Sequence, residues 1–379
     1  MANTFKFGNG QWATKEGSTL AYNDENGNFK PLPFTFDRAS SATLVNKDGL
    51  IETVGADQPR VDYLNDSNGA LLLEPSRSNL YLNSEPTTNE GASAEVTYES
   101  FSWSLGFSNC IKYGDNSVVR FRYGANVSAS TEYTLSAFVI MDDLSEPVIG
   151  GETSENDFTF VIGGSVFNNA NPNVNMGNNI YRVSVNGTTS ASPNAPNNGI
   201  LKFTSQSNKG FKVVGLQLEQ GSYATSYIPT SGSAVTRVYD TIPSYLDITP
   251  LNIGNYYTLF LDANLNVNDN NKVFSTINNS SDVVSFTIRN NVGGIRLYNH
   301  IDANYPVSGI TSATNKFVIR VDGNSYKVFV QGSSLSGTLT TQRDLGSLNF
   351  YGQNTELKIN NFTIDNTALS DAECEALVN

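Results

Sequence analysis

Residues 317–330 read FVIRVDGNSYKVFV, and this stretch carries the clearest indication of the fold class. Apolar and polar side chains alternate in Phe317–Val321 and again in Tyr326–Val330, as they do in strands that bury one face. The residues between the two segments include Gly323, which suits a tight turn. The stretch therefore predicts a β-hairpin, and strand-like segments recur on both sides of it.

The region from about residue 240 to the end contains further strand-like segments and one helix signal. Ser370 and Glu373 form a capping box, which predicts a short helix through Leu377. The predicted strands outside the hairpin are Tyr256–Leu265, Lys272–Ile277, Val283–Arg289, Gly294–Tyr298, Ser347–Tyr351 and Leu357–Ile364. This region is predicted to be a β-sandwich with one C-terminal helix.

Residues 92–228 show longer strands separated by clusters of Gly, Asn and Pro, a pattern typical of a second β-sandwich. Two Asn-rich stretches, 168–179 and 186–199, are predicted to be surface loops because strands resume after each. The predicted strands are Val118–Tyr123, Tyr133–Met141, Phe158–Ile162, Ile180–Val185, Ile200–Phe203 and Phe211–Leu218.

Residues 1–80 contain three turn dipeptides, Asn26-Gly27, Asp48-Gly49 and Asn68-Gly69, each between short apolar or β-branched stretches. They predict short hairpins. Because these stretches hold few apolar residues, we expect an extended arm that folds against neighbours, partner proteins or sister subunits, and has no core of its own.

Composition excludes several classes of protein. A net charge of −13 among 379 residues argues against nucleic-acid binding, which depends on Lys and Arg. The first twelve residues lack the pattern of a signal peptide, and no apolar run is long enough to cross a bilayer. We therefore expect neither Sec export nor membrane insertion.

Catalysis is not expected from the titratable residues. Cys110 and Cys374 lie 264 positions apart without metal-ligand spacing, and His300 is the sole histidine. Glycoside cleavage needs two carboxylates, and Asp142 or Asp143 with Glu52 or Glu219 are the candidates. Strand termination explains the aspartates more simply, so the sequence predicts no enzyme and no catalytic residue.

No cofactor or metal is expected either. The turn at residues 268–271 and the region of Asp262 offer oxygen ligands for calcium. They lack the ligand spacing of a recognisable calcium loop, and turn-forming Asn and Asp explain them without an ion.

Several motifs resemble those of a known group of proteins. The first motifs are FDRASSAT (36–43), KDGLIE (47–52), PRVDY (59–63) and LLLEPSRSN (71–79), and the later ones are GLQLEQG (215–221) and ATSYIPT (224–230), with Thr236-Arg237 just after. The first motifs resemble the opening module of many bacteriophage structural and tail-associated proteins, in which motifs like the later ones close a jelly roll similar to a carbohydrate-binding module. Near the end of the chain lie VDGNSYKV (321–328) and ALSDAE (368–373), and this remainder is similar to concanavalin A-like modules of the laminin-G type.

The resemblance implies an all-β chain with an N-terminal hairpin module for virion attachment (1–80), a jelly roll (81–235) and a concanavalin A-like sandwich (236–379). It also implies a fibre or appendage on the virion surface, at head or tail. The expected partners are other virion proteins, copies of the chain itself in a homotrimer or a dimer, and host glycans. Two alternatives stay open: a decoration or adaptor protein without ligand, and a polysaccharide depolymerase.

Candidate glycan-binding residues follow from strand parity. Arg296, Tyr298 and His300 alternate with apolar residues, and Tyr305 lies close by in sequence. Such a face suits hydrogen bonding and stacking on a sugar, although any solvated strand shows the same alternation. Trp103 is either a sugar platform or a core residue.

Three arginines, Arg38, Arg60 and Arg77, lie within the N-terminal module and are candidates for virion attachment. They either pair with Glu52, Asp62 and Glu74 to fix the hairpins or contact a neighbouring virion protein. The sequence does not separate these two roles.

Overall fold

The computed structural model describes residues 4–379 except 15–18, 24–27, 65, 89–95, 115–118, 124, 169, 243–245, 248–252, 266–271, 279–283, 292–293, 300–303, 308–313, 339–344 and 353–354. The fold is all-β with one short helix, as predicted. No helix in the described part of the chain has the length and apolarity that a membrane crossing requires. The described residues fall into two compact units.

Unit 1 comprises Met1–Ser41, Val54–Ser76 and Val238–Asn379, and unit 2 comprises Ala42–Thr53 and Arg77–Arg237. The strands up to residue 79 are β1 (Thr4–Gly8), β2 (Ala13–Thr14), β3 (Thr19–Asn23), β4 (Phe29–Thr35), β5 (Ala42–Val45), β6 (Ile51–Val54), β7 (Arg60–Asp62), β8 (Ala70–Leu73) and β9 (Arg77–Asn79).

The strands of the middle of the chain are β10 (Thr97–Ser100), β11 (Asn109–Tyr113), β12 (Val119–Tyr123), β13 (Glu132–Met141), β14 (Thr159–Ile162), β15 (Ser165–Phe167), β16 (Val174–Asn175), β17 (Tyr181–Thr188), β18 (Asn198–Lys202), β19 (Phe211–Gln220) and β20 (Val235–Arg237). Six of these strands, β12, β13, β14, β17, β18 and β19, follow the predicted segments closely, because alternation and turn residues act locally, whereas the other five were not predicted.

The C-terminal elements are β21 (Leu246–Asp247), β22 (Tyr256–Leu265), β23 (Lys272–Asn278), β24 (Val284–Asn291), β25 (Gly294–Asn299), β26 (Asn304–Val307), β27 (Thr314–Asp322), β28 (Ser325–Val330), β29 (Ser333–Thr338), β30 (Leu345–Phe350), β31 (Leu357–Asp365) and α1 (Asp371–Val378). The predicted hairpin is formed by β27 and β28, in which Phe317 pairs with Val330 and, next to the turn, Asp322 pairs with Ser325. The predicted capping box is present at the N-terminus of α1, where Ser370 is the N-cap residue.

Unit 1 contains a sandwich of two large sheets and a small third sheet of order β2-β3-β4. One large sheet has the order β29-β28-β27-β22-β31-β8-β7, with β1 also on β31, and the other has the order β21-β30-β23-β24-β25-β26. Phe362 of the first sheet and Phe274 of the second are in ring contact at 5.8 Å within one apolar core. The helix α1 covers the opposite face of the first sheet through Cys374 and Val378.

Unit 2 is a second sandwich. Its sheets have the orders β10-β11-β19-β13-β17-β16 and β12-β18-β14-β15. Alternate residues of β13, such as Leu135 and Val139, pack with Phe160 and Ile200 in the core between the sheets. The small sheets β5-β6 and β20-β9 complete this unit.

The structure corrects the predicted separate module at 1–80. β7 and β8 extend the large sheet of unit 1, while β1 pairs with β31 over Thr4–Gly8. Phe7 and Leu71 are buried in the C-terminal core. β1, β7 and β8 thus join a sheet of their own chain, so they belong to unit 1 and not to a separate N-terminal module.

Candidate functional site

A buried ion cluster in unit 1 joins Arg38, Arg60, Glu74 and Asp240. Arg38 donates to Asp240 at 2.9 Å, and Arg60 donates to Glu74 at 2.6 Å and also to Asp240. All four side chains are at most 1% exposed. Burial lowers the pKa of the Arg60 guanidinium, but the charges of Asp240 and Glu74 outweigh burial and hold that pKa above its ordinary value.

This cluster corrects the assignment of Arg38 and Arg60 to virion attachment, because buried guanidinium groups present no surface to a partner. Their role is to hold the N-terminal strands to the residues around Asp240. Of the carboxylates named as partners, Glu74 contacts Arg60, whereas Asp62 binds Lys358 at 2.8 Å.

Arg77 differs from the other two arginines because it lies in unit 2 and is only partly buried. Its guanidinium lies 5.3 Å from the centre of the Tyr223 ring. Of the three arginines, Arg77 is therefore the one that has an exposed part.

Trp103 is a core residue of unit 2. Its side chain is 3% exposed, and its indole N–H donates to the Asn109 carbonyl at 2.9 Å. Phe101 and Phe107 pack on it edge to face. A ring packed in this way offers no face to a sugar, so the sugar-platform hypothesis for Trp103 is corrected.

Sequence positions 215–228, which supplied part of the resemblance, close unit 2 through buried polar side chains. The Gln217 amide donates to the Ser226 carbonyl and accepts from the Ile228 N–H at 2.6 Å. Glu219 accepts from the N–H and hydroxyl of Thr225. We call Gln217, Glu219 and Asn79 the closing polar cluster, since Asn79 donates to the Leu216 and Ile228 carbonyls at 3.0 and 2.9 Å.

Gly215, which opens the motif, is required by backbone geometry. It lies opposite an irregularity in the β13–β19 pairing between Ser136 and Phe138, and its φ is +64°. A Cβ atom at this position would lie 2.5 Å from the Phe138 ring. Only glycine combines this φ with so close an approach.

A row of polar side chains lies on β17, on the sheet face opposite the core. Arg182, Ser184 and Asn186 alternate with buried Val183 and Val185, and all three are partly exposed. We call these three residues the β17 row. The sequence YRVSVNGT carries the same alternation that selected residues 295–301, so this signal could have found the row.

The β17 row is pre-arranged by its neighbours. Arg182 donates to the Ser136 hydroxyl at 3.3 Å and lies 5.5 Å from the Phe138 ring. Ser184 accepts from Asn171 at 3.1 Å, and Asn186 donates to Glu132 at 3.3 Å. The row thus presents guanidinium, hydroxyl and amide groups from a rigid sheet, the groups that hydrogen-bond polyhydroxylated ligands.

Three of the candidate glycan-binding residues lie on neighbouring strands, Arg296 and Tyr298 on β25 and Tyr305 on β26. Arg296 and Tyr298 share one parity on β25, as predicted. Tyr305 is paired with Leu297, so it takes the register of Leu297 and not that of Tyr298. This register corrects the grouping of Tyr305 with Arg296 and Tyr298. His300 and the proposed calcium turn at 268–271 lie outside the described residues.

The two aspartates considered for glycoside cleavage are held in ion pairs, whereas Glu52 accepts from the Asn46 amide and Glu219 from Thr225. Asp142 binds Lys112 and Lys212, the latter at 2.7 Å. Asp143 accepts from Ser145 at 2.6 Å and pairs with Lys209 at 3.0 Å, and these contacts lower its pKa to about 2. A general acid needs a raised pKa, so Asp143 is not arranged as one.

No group of three or more His, Cys, Asp or Glu side chains able to hold a metal occurs among the residues that the structure describes. Both cysteines are free and buried. Cys110 lies in unit 2 and Cys374 in unit 1.

Comparison with known proteins gives weak structural likenesses. No protein-family model and no curated protein matches the chain. A Trypanosoma rangeli sialidase matches with a TM-score of 0.30 and 10% identity over 95% of this chain and 65% of the sialidase. The CBM2 module of the evolved Dit of Lactobacillus casei BL23 phage J-1 matches with a TM-score of 0.24 and 8% identity over 35% of this chain and 71% of the module.

A mutant Trypanosoma rangeli sialidase displaying trans-sialidase activity matches at a TM-score of 0.28 and 13% identity, over 33% of this chain. The chain spans 23% of the length of that sialidase. At these scores the likenesses assign no activity or ligand to this chain. The prediction that the chain is not an enzyme is wrong, because sialidases are among the matched structures. That prediction is withdrawn.

Proposed function

We propose that this chain is a bacteriophage structural protein, a fibre or appendage on the virion surface at head or tail, that holds host glycans weakly through many copies. The sequence motifs support the virion role. Residues of the two later motifs, GLQLEQG (215–221) and ATSYIPT (224–230), are hydrogen-bonded to one another in unit 2, so these two motifs share one structural role in this chain.

The β17 row is the observation that carries the glycan part of the proposal. Sugar hydroxyls are recognised by fixed groups that donate and accept hydrogen bonds, and the β17 row offers both kinds on a backbone paired on both sides. The row is shallow, so we expect a single site to bind weakly. Trimers or dimers on a particle would raise the effective affinity by linking several sites.

A decoration or adaptor protein without ligand is the second candidate. One observation favours it: each polar group of the β17 row already has a hydrogen-bond partner within unit 2. A ligand would have to compete with those bonds or use the remaining lone pairs and N–H groups.

Binding of the full chain, multimerised on a streptavidin support, to an array of bacterial surface glycans separates the two candidates. The variant is Arg182→Met with Asn186→Ala, since Met keeps apolar contact with Phe138 while removing the guanidinium. The control is Thr97→Ala with Glu99→Gln, two exposed residues on the same face at the far edge of the sheet. Loss of binding in the variant alone supports the proposal, and equal binding by all three proteins contradicts it.

The virion role has its own test. An antibody to this chain should label phage particles at one fixed position on the head or tail. Particles that carry no label, although the chain is produced during infection, would contradict the role. Release of reducing ends from a bound polysaccharide would add an enzymatic activity to the assignment.

A further inference from the structure

Among the described residues, two tyrosines, Tyr256 and Tyr239, are exposed, and Tyr256 is the more exposed of the two. It opens β22 and is 51% exposed, whereas Tyr257 beside it is 2% exposed in the core of unit 1. Tyr256 lies on a paired strand of the sheet and outside the loops, so its backbone position is fixed. Neither the sequence motifs nor the β17 row accounts for it.

Strand register places two polar residues in line with this ring. Tyr256 is paired with Asp322 of β27, and Asp322 is paired with Ser325 of β28. Directly opposed residues of antiparallel strands share a face, with Cβ atoms about 4.5–5.5 Å apart. Tyr256, Asp322 and Ser325 therefore form one row, which we call the Tyr256 site, and all three side chains are exposed.

The segment that leads into α1 bounds one side of the Tyr256 site. Thr258, two residues along β22 on the same face, donates to the Thr367 carbonyl at 2.8 Å and accepts from the Leu369 N–H at 3.0 Å. Arg320 donates to the Leu369 carbonyl at 3.2 Å. These bonds fix residues 367–369 against the sheet next to the row, so the site has a flat floor and one wall.

Charge indicates which ligands fit. Two cations lie on the same face of the neighbouring strands, Arg320 of β27 and Lys327 of β28, and both bind Asp371. The Asp322 carboxylate, in contrast, has no hydrogen bond or ion pair among the residues that the structure describes, and Asp365 faces Thr258 in register. The site thus offers an aromatic face with hydrogen-bond acceptors and repels anions.

We propose that the Tyr256 site binds a non-acidic sugar ring, with the apolar face of the sugar stacked on Tyr256 and a hydroxyl or amino group donating to Asp322. This inference deepens the proposed glycan binding, on which it rests. It adds a second site in unit 1 and excludes sugars that carry a carboxylate.

The test uses the full chain with three soluble probes: a tetramer of N-acetylglucosamine, a tetramer of glucosamine and a trimer of galacturonic acid. Saturation-transfer NMR detects weak contacts between sugar C–H groups and protein. We expect signals for the first two probes and none for the third. Tyr256→Ala should weaken binding about three- to tenfold, as expected for the loss of one aromatic contact.

Asp322→Asn separates stacking from charge. It should weaken the glucosamine tetramer more than the N-acetylglucosamine tetramer, because only glucosamine carries an ammonium group. Tyr239→Ala is the matched control, since Tyr239 is a 42% exposed tyrosine of the same unit and should leave binding unchanged.

Two outcomes would overturn the inference: unchanged binding in Tyr256→Ala, or a stronger signal from the galacturonate trimer than from the other probes. Failure of the Tyr256 site is distinguishable from failure of the proposed function. If Tyr256→Ala retains array binding that Arg182→Met with Asn186→Ala loses, the glycan proposal holds without this site. If neither variant alters array binding, both are wrong.

Discussion

Unit 1 and unit 2 each hold a cluster of buried polar side chains, and the two clusters are built from different groups. Unit 1 buries two guanidinium groups against two carboxylates in the Arg38–Arg60–Glu74–Asp240 cluster. The closing polar cluster of unit 2 relies on two amides, from Gln217 and Asn79, together with the Glu219 carboxylate. Both clusters join residues that are more than 100 positions apart in sequence.

Because the two clusters differ in charge, a single substitution should lower the free energy of unfolding by different amounts in the two units. Removing one partner of a buried ion pair leaves an uncompensated charge, which costs about 3–5 kcal/mol. Removing one partner of a neutral buried hydrogen bond costs about 1–3 kcal/mol. We therefore expect the change of one cluster side chain to lower the free energy of unfolding more in unit 1 than in unit 2.

The largest effect is expected for Asp240→Asn. This variant keeps the volume but removes the charge that balances Arg38 and Arg60, so the free energy of unfolding of unit 1 should fall by about 3–5 kcal/mol. Urea unfolding measures it. The control is Asp371→Asn, an exposed partner of Arg320 and Lys327, which should have a much smaller effect. Equal losses for the two variants would contradict the proposed role of burial.

Gln217→Ala is expected to destabilise unit 2 by about 1–3 kcal/mol, because it leaves the Ile228 N–H without its acceptor. Gln220→Ala, at an exposed position on the same strand, should change stability by no more than about 0.5 kcal/mol. A loss in Gln217→Ala that exceeds that of Asp240→Asn would reverse the comparison between the units.

Two carboxyl groups, Asp143 and Asp262, should contribute to the free energy of unfolding with opposite dependence on pH. Hydrogen bonds from Ser145 and the pairing with Lys209 lower the pKa of Asp143 from 3.8 to about 2. Asp143 therefore stabilises unit 2 above pH 3.8 and loses this contribution as the pH falls toward 2. The difference in free energy of unfolding between the wild type and Asp143→Asn should shrink over that range. A constant difference would contradict it.

Asp262 in unit 1 provides the counterpart. Burial raises its pKa above 3.8, more than the hydrogen bond from Asn360 lowers it. Protonation therefore stabilises the folded form, and this contribution is lost as the pH rises through the raised pKa. Relative to Asp262→Asn, the wild type should gain stability as the pH falls toward 3.8. A relative loss of stability would show that the carboxylate form is favoured by folding.

The smallest effect is expected for alkylation of the two cysteine thiols in the native protein. Burial raises the pKa of Cys110 and of Cys374 to about 11, so almost no thiolate is present at neutral pH and native alkylation should be negligible. Because each unit holds one of these thiols, alkylation also reports which unit opens. Asp240→Asn should speed reaction at Cys374, and Gln217→Ala should speed it at Cys110. Mass spectrometry of the labelled peptides checks both, and the reverse pattern would contradict the assignment of the clusters.

Local sequence patterns were enough to predict the all-β class and many of the individual strands and turns. Alternation and turn residues predicted the β27–β28 hairpin, most strands of unit 2 and the capped helix α1, because each depends on residues within about ten positions of one another. The same parity reasoning reaches the β17 row, whose polar residues alternate with buried valines along a single strand.

Only the tertiary structure decided where the N-terminal strands go and which candidate residues are exposed. Nothing near Arg38 or Arg60 in sequence reveals Asp240, which is 202 and 180 positions away. Nothing near Trp103 shows that its ring is covered, and nothing near Tyr256 shows that its ring is open beside Asp322. Exposure and long-range pairing depend on which strands become neighbours in a sheet, and a one-dimensional pattern does not contain that information.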